Sequence, residues 1–279
     1  MCLMSRSISS ARRGVPAPAS KQSPEPSATT ASFRVDEKAI TSRNGVEFKV
    51  TIDPSQAAAV RKLLHLSHSK AERTRVRFYD TPQLDLFQRG VVLRTRQVHD
   101  GPDDVTLKLR PVDASRIDPH WFTRAGFKVE TDQVGEQGVP SASLTLPLKQ
   151  GKSDEVDKGK KGVGSLFTDE QERLVAELSG RPIDFKALSI LGPVESRKWK
   201  AEPKHGPGPL SIEEWTLPDG RQILEVSIRA ASSQSKEAVR ALSSYLDSHG
   251  IHPTSTQETK TRAALDYFAQ HPRRPARMG

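Results

Sequence analysis

Basic residues recur in pairs two positions apart in this 279-residue sequence, among them Arg94 with Arg96, Lys108 with Arg110, and Lys198 with Lys200. Side chains two positions apart lie on the same face of a β-strand. Like charges on neighbouring strands repel each other unless a group of opposite charge lies between them. The spacing therefore favours a surface that binds an anionic ligand.

Acidic residues lie near these basic pairs, in segments with the same alternation: Glu47, Glu130, Asp132, Glu213 and Glu225. The positions between the charged residues are mostly apolar, so each predicted strand has one charged face and one apolar face. Two interpretations stay open. The charged faces either line a concave, ion-rich surface or are exposed to solvent and joined by salt bridges between strands.

The elements that must position these residues are short strands and amphipathic helices. Alternation predicts strands at 46–52, 91–98, 105–110, 127–132 and 223–229. Helices are predicted at 169–179, 184–191, 233–248 and 258–270, and another follows Asp53-Pro54. Because the apolar strand faces need covering, we expect a sheet, open or closed on itself, with helices over its apolar face.

Composition divides the chain into segments. Residues 1–32 are rich in Ser, Pro and Ala and are predicted to be a disordered basic tail. An ordered domain is predicted over 33–270, with a flexible insertion at about 139–166, where Gly, Lys, Asp and Ser replace apolar residues. Residues 271–279 are predicted to be a second disordered basic tail.

The net charge of +9 is compatible with nucleic-acid binding, but most of the excess lies in 1–32, 149–164 and 271–279. We therefore expect no specific nucleic-acid partner. The single cysteine, Cys2, excludes a disulfide framework and a cysteine-based zinc site. No apolar run is long enough to cross a membrane and the amino terminus lacks a signal-like apolar stretch, so we expect a cytoplasmic protein.

The segment 79–97, YDTPQLDLFQRGVVLRTRQ, closely resembles the signature of the CYTH family, the triphosphate tunnel metalloenzymes that include class IV adenylate cyclases and thiamine triphosphatases. The matching residues are Tyr79, Asp80, Thr81, Pro82, Leu86, Gly90, Leu93, Arg94 and Arg96. Further pieces follow the order of the family over about 40–270: Glu47-x-Lys49, Thr106-x-Lys108, Lys128-x-Glu130, Glu213 with Glu225, and Lys260.

The resemblance implies an α+β fold, in which an eight-stranded antiparallel β-barrel forms a triphosphate tunnel with helices packed on its outer face. It implies metal-dependent hydrolysis of a triphosphate-containing substrate: inorganic triphosphate, thiamine triphosphate or a nucleoside triphosphate. Two alternatives stay open. One is a non-catalytic module that binds polyphosphate or a nucleotide, and the other is a class IV-type adenylate cyclase.

The resemblance also implies roles for individual residues. Glu47 and Lys49 would be catalytic. Phosphate would be bound by Arg94, Arg96, Lys108, Arg110, Lys128, Lys198, Lys200 and Lys260. The cofactor, Mg²⁺ or Mn²⁺, would be held by Glu47, Glu130, Asp132, Glu213 and Glu225, because hard cations prefer carboxylate oxygens. The expected partner is a small-molecule triphosphate or polyphosphate, with no membrane partner, and a homodimer is left open.

The sequence departs from the family pattern at two positions that would each supply a carboxylate. Gly45 stands where the opening Glu-x-Glu-x-Lys motif has its first glutamate, and Ser227 stands where a late Glu-x-Glu motif has its second. We therefore expect at most one metal ion in the tunnel. The loss of these carboxylates brings catalysis into question, while the basic residues needed for anion binding are retained.

Overall fold

The computed structural model describes residues 45–134 and 137–272, and in this part of the chain nine β-strands form one closed barrel. The strands are β1 (Val46–Ile52), β2 (Glu72–Asp80), β3 (Val91–Val98), β4 (Asp103–Leu109), β5 (Phe127–Val134), β6 (Gln137–Leu148), β7 (Ser189–Ala201), β8 (Leu210–Thr216) and β9 (Gln222–Ala230). The predicted tail 1–32, the domain boundary at residue 33 and residues 273–279 of the second tail lie outside the described residues.

The order of strands around the barrel is β1-β5-β6-β4-β3-β2-β7-β8-β9, and β9 pairs with β1 to close it. Every neighbouring pair is antiparallel except β1 and β5, which are parallel. The prediction of a helix-covered barrel is confirmed, but the prediction of eight antiparallel strands is wrong. Strand direction cannot alternate all the way round a closed ring of nine strands, so at least one pair must be parallel.

Six α-helices accompany the barrel in the described residues: α1 (Ala57–Leu63), α2 (Asp85–Gln88), α3 (Lys152–Asp157), α4 (Asp169–Ser179), α5 (Ser235–Ser248) and α6 (Lys260–Gln270). The predicted helix at 184–191 is replaced by one short 3₁₀ turn, Phe185–Ala187, followed by the start of β7. None of the described helices combines the length and apolar character needed to cross a bilayer.

The apolar strand faces are covered by helices on the outside of the barrel. Leu174 of α4 packs in one cluster with Leu107 and Leu144, and Leu242 of α5 packs in another with Ile212 and Val226. Burying such side chains contributes about 1.5–3 kcal/mol each. Because side chains alternate along a strand, this outer packing turns the charged residues between them toward the barrel interior.

Residues 139–166 contain most of β6, helix α3 and a short 3₁₀ turn, Val163–Leu166, and the flexibility predicted for this segment stays a prediction. The first part belongs to β6, whose Ala142 and Leu144 are fully buried, while Ser143 and Thr145 between them line the interior cavity. Small polar residues on the inner face give this strand the composition of a loop. The Gly- and Lys-rich part that follows is attached to the core through buried apolar residues such as Val156.

Helix α3 is also held by a buried arginine. Arg77 of β2 is 2% exposed. It donates hydrogen bonds from Nε to Asp157 at 2.7 Å and from Nη2 to Asp154 at 3.0 Å. Both aspartates belong to the segment that was predicted to be flexible. This pairing joins α3 to the barrel wall.

We expect Arg77→Ala to lower the free energy of unfolding by about 3 kcal/mol, because it leaves two carboxylates beside the core without their cation. Arg75→Ala is the matched control on the same strand, since Arg75 makes an exposed pair with Glu195 that should contribute less than about 1 kcal/mol. Urea unfolding of both variants measures the difference. Equal losses would mean that Arg77 does not stabilise the attachment of α3.

Candidate functional site

The barrel encloses a cavity of about 900 Å³ that is lined by charged side chains. All fourteen residues predicted to form the site line this cavity: Glu47, Lys49, Arg94, Arg96, Lys108, Arg110, Lys128, Glu130, Asp132, Lys198, Lys200, Glu213, Glu225 and Lys260. Of the two interpretations left open by the charge pattern, the structure has the concave, ion-rich surface. The roles implied for the individual residues stay predictions.

Three charged lining residues are absent from the predicted set: Glu72, Glu202 and Arg229. The alternation of β9 offers a signal for Arg229, because it lies two positions beyond Ser227 and four beyond Glu225 on the same face. The ten basic side chains around the cavity exceed the seven acidic ones by three charges. An excess of positive charge in an enclosed space attracts polyanions.

Two residues of the segment 79–97, Asp80 and Gly90, fix the backbone of the turn that precedes Arg94 and Arg96. The carboxylate of Asp80 accepts hydrogen bonds from the backbone N–H groups of Thr81, Leu86 and Phe87, which shapes the turn between β2 and β3. Gly90 closes this turn at a φ of +77°, and a Cβ there would lie 1.9 Å from the carbonyl oxygen of Arg110. Only glycine fits this close approach. The turn thereby sets the register that brings Arg94 and Arg96 into the cavity.

One charge cluster surrounds Asp132, which is 3% exposed and contacts both Lys49 and Lys108 through its carboxylate. Lys49 also lies 3.1 Å from Glu47, and the Ser141 hydroxyl donates to Asp132 at 3.1 Å. Burial alone would raise the pKa of Asp132, but the two lysines outweigh it and lower that pKa. Asp132 is therefore ionised at neutral pH.

A second cluster joins β8, β9 and the first residue of α6. Glu213 and Glu225 lie directly opposite each other on the neighbouring strands, a position at which like charges repel. Lys260 contacts both carboxylates, at 3.1 Å for Glu213, and Lys198 lies 3.2 Å from Glu213. Burial opposes ionisation of Glu213, but the two lysines outweigh it and lower its pKa. The amino terminus of α6 thus supplies the counter-charge for the acidic pair.

Arg94 differs from the residues of both clusters because no carboxylate in the described chain pairs with it. Its Nε is buried without a hydrogen-bond partner, and its Nη2 donates only a long bond of 3.4 Å to Thr106 Oγ1. The neighbouring Arg96 pairs with Asp104 at 2.7 Å. Burial and the charge of Arg96 lower the pKa of Arg94 to about 10. Arg94 is thus a cation inside the tunnel without a counter-ion.

Three further cations that line the cavity make no salt bridge within residues 45–134 and 137–272: Arg110, Lys128 and Lys200. Arg110 lies 5.8 Å from the centre of the Phe87 ring, and both lysines are exposed. Arg94 and these three residues are the cations of the cavity that no carboxylate of the described chain neutralises. All four belong to the predicted phosphate site.

The five predicted metal ligands do not converge on a metal site. Within the part of the chain that the structure describes, no three His, Cys, Asp or Glu side chains lie close enough together to hold a metal ion. Each of the five carboxylates contacts a lysine or arginine instead: Glu47, Glu130, Asp132, Glu213 and Glu225. The donor set of the described residues therefore does not fit the Mg²⁺ or Mn²⁺ that the resemblance implies.

No family model matches this sequence. No curated protein matches it either. Among solved structures, the chain is similar to a proposed adenylate cyclase from Bacillus halodurans, with a TM-score of 0.54 and 15% identity over 78% of this chain and 96% of that one. It is also similar to a proposed adenylyl cyclase from Hippeastrum with a dominant triphosphatase activity, with a TM-score of 0.56 and 18% identity over 80% and 96% of the two chains. These similarities support a closed β-barrel with helices on its outside, whereas the eight antiparallel strands that the CYTH resemblance implies are not found among the described residues.

The charge pairs of the tunnel predict an acid sensitivity. A carboxylate with a lowered pKa in the folded state stabilises the protein above its unfolded pKa, and this contribution is lost as the pH falls toward the folded pKa. We therefore expect wild-type stability to fall from about pH 5 downward. The loss between pH 6 and pH 3 should be smaller in Asp132→Asn by about 1 kcal/mol.

Urea unfolding at several pH values measures this loss, with Glu155→Gln of the exposed face of α3 as the control. Glu155→Gln should reproduce the wild-type pH dependence. If Asp132→Asn does the same, Asp132 does not carry the pairing that the structure assigns to it.

Proposed function

We propose that this protein binds the triphosphate group of a small molecule inside the barrel and hydrolyses it. The observation that carries the proposal is Arg94, a cation in the tunnel wall without a counter-ion. A buried charge without a partner costs several kcal/mol, and an anionic ligand would offset that cost. A guanidinium can also bind two phosphate oxygens at once through parallel N–H groups.

The distribution of charge supports a ligand with several negative charges. Arg110, Lys128 and Lys200 line the same cavity as Arg94 without acidic partners in the described chain. A chain of three phosphates carries enough charge to engage several such cations together, whereas a single phosphate does not. The fold of the Bacillus halodurans and Hippeastrum proteins agrees with this choice of ligand.

Hydrolysis is favoured over other reactions by the reported triphosphatase activity of the Hippeastrum protein, whose fold this chain shares. In this chain, fixed cations would stabilise the negative charge that develops on the phosphate groups as the anhydride bond breaks. Arg94 and Arg110 are placed for this because they are not already paired with a carboxylate. The barrel wall would limit the access of bulk water and strengthen these interactions.

Binding without turnover is the second candidate, and the chemistry of Glu47 favours it. Burial would raise the pKa of Glu47, but Lys49 and Arg229 outweigh that effect and lower it. A carboxylate with a lowered pKa is a weak general base. Gly45 and Ser227 remove two further carboxylates that the resemblance implies. These features suit a site that holds a triphosphate but does not activate water.

Substitution of Arg94 separates a binding role from a structural one. We expect Arg94→Met to weaken binding of inorganic triphosphate by about 1.5–3 kcal/mol, the range for a hydrogen bond to a charged group. The free energy of unfolding of the ligand-free protein should not fall, because replacing an unpaired buried charge by an apolar side chain is neutral or stabilising. Calorimetry measures the first quantity and urea unfolding the second.

Arg75→Met is the control for this comparison, since Arg75 does not line the cavity and should leave triphosphate affinity unchanged. Unchanged affinity in Arg94→Met would remove Arg94 from the binding site. A loss of stability equal to the loss of affinity would make it a structural residue.

Turnover is tested by phosphate release from inorganic triphosphate, thiamine triphosphate and ATP, each with Mg²⁺, with Mn²⁺ and with EDTA. We expect release from at least one of them by the wild-type protein and much slower release by Arg94→Met. No release from any substrate, with triphosphate still protecting the fold against heat, would favour the binding module. Cyclic AMP and pyrophosphate from ATP would instead identify a cyclase.

A further inference from the structure

Arg229 lies beside Glu47 and Glu130, near the two positions, Gly45 and Ser227, that lack the carboxylates of the family pattern. It is directly opposite Glu47 in the β1–β9 pairing, two positions from Ser227 on the same strand. Its Nη2 is 3.1 Å from Glu130 Oε1 and 3.5 Å from Glu47 Oε2. The guanidinium thus bridges two carboxylates from separate strands, as a bound cation would.

The charges of the two acidic clusters balance one for one. Glu47, Glu130 and Asp132 contact Lys49, Lys108 and Arg229, while Glu213 and Glu225 contact Lys198 and Lys260. A divalent cation would meet carboxylates that are already neutralised and would be repelled by the lysines beside them. The acidic clusters thus have no negative charge left to attract it.

Neither Gly45 nor Ser227 supplies a metal ligand in this chain. Any side chain at Gly45 would start 2.7 Å from the carbonyl oxygen of Ala230, so the backbone would have to move. Ser227 is 5% exposed, and its hydroxyl lies 3.5 Å from Glu47 Oε1. A neutral hydroxyl contributes little to the binding of a hard divalent cation compared with a carboxylate.

We propose that Arg229 is the fixed cation of this acidic cluster, in place of a divalent metal, and that the tunnel takes up triphosphate as the metal-free anion. This inference rests on the proposed function, because it specifies the form in which the ligand is bound. Arg229 is 59% exposed on its side chain, so it remains accessible to a ligand at the cavity. The guanidinium offsets the negative charge of Glu47 and Glu130, which would otherwise repel the phosphates.

The first test is calorimetry of inorganic triphosphate with the 279-residue protein in EDTA and in Mg²⁺. We expect binding in EDTA, and equal or weaker binding in Mg²⁺ because the metal competes for the free anion. Binding that is at least about tenfold tighter with Mg²⁺ would overturn the inference and leave the proposed function intact. No binding in either condition would overturn both.

The second test removes the guanidinium of Arg229 and asks whether Mg²⁺ can take its place. In Arg229→Gln, we expect triphosphate binding in EDTA to weaken by about tenfold and Mg²⁺ to restore it, because the metal can then neutralise Glu47 and Glu130. Arg75→Gln, outside the cavity, should behave as the wild type in both conditions. If Arg229→Gln matches Arg75→Gln, the inference is wrong.

Direct binding of Mn²⁺ gives a readout that does not depend on triphosphate. Electron paramagnetic resonance of Mn²⁺ should detect no bound ion with the wild-type protein. It should detect a bound ion with the double variant Arg229→Gln, Ser227→Glu. If Ser227→Glu destabilises the barrel, Arg229→Gln alone still tests the inference, with weaker Mn²⁺ binding expected. Tight Mn²⁺ binding by the wild-type protein would contradict it.

Discussion

Charges inside a closed barrel must be neutralised locally, because the wall excludes much of the water that would otherwise solvate them. The pairs around Asp132 and around Lys260 meet this requirement by joining residues from different strands and from the start of α6. Asp132 lies on β5, while its partners lie on β1 and β4, on either side of it around the barrel. The same contacts that neutralise the interior therefore also hold neighbouring parts of the wall together.

Some charges in the cavity are not neutralised by a partner, and the positions of these charges determine what the cavity can bind. Arg94 has no acidic partner in the described chain, while Arg96, two positions along the same strand, has Asp104. A half-buried guanidinium beside another arginine, with no acidic partner, does not stabilise the fold. Functional sites commonly keep such unfavourable groups and offset their cost elsewhere in the fold. Here the outer helices supply the apolar packing that offsets it.

Much of the fold could be predicted from alternation, because apolar residues under helices and charged residues between them give an unambiguous period of two. β1, with Phe48 and Val50 outside and Glu47 and Lys49 inside, follows that pattern. β6 does not, since Ser and Thr on its inner face are also typical of loops. The wrong expectation of eight antiparallel strands came from the family resemblance, because alternation alone does not give the number of strands or the parallel pairing of β1 with β5.

The candidate residues could be predicted, but their partners could not. Which cation meets which carboxylate depends on strand register and barrel closure, which bring Lys108 and Asp132 together across an intervening strand. A motif implies by analogy that an acidic residue is a metal ligand. A lysine in contact with that carboxylate neutralises it and makes it a poorer metal ligand. Arg229 shows the difference, because its position two residues beyond Ser227 is visible in the sequence, whereas its bridge between Glu47 and Glu130 follows only from the pairing of β9, β1 and β5.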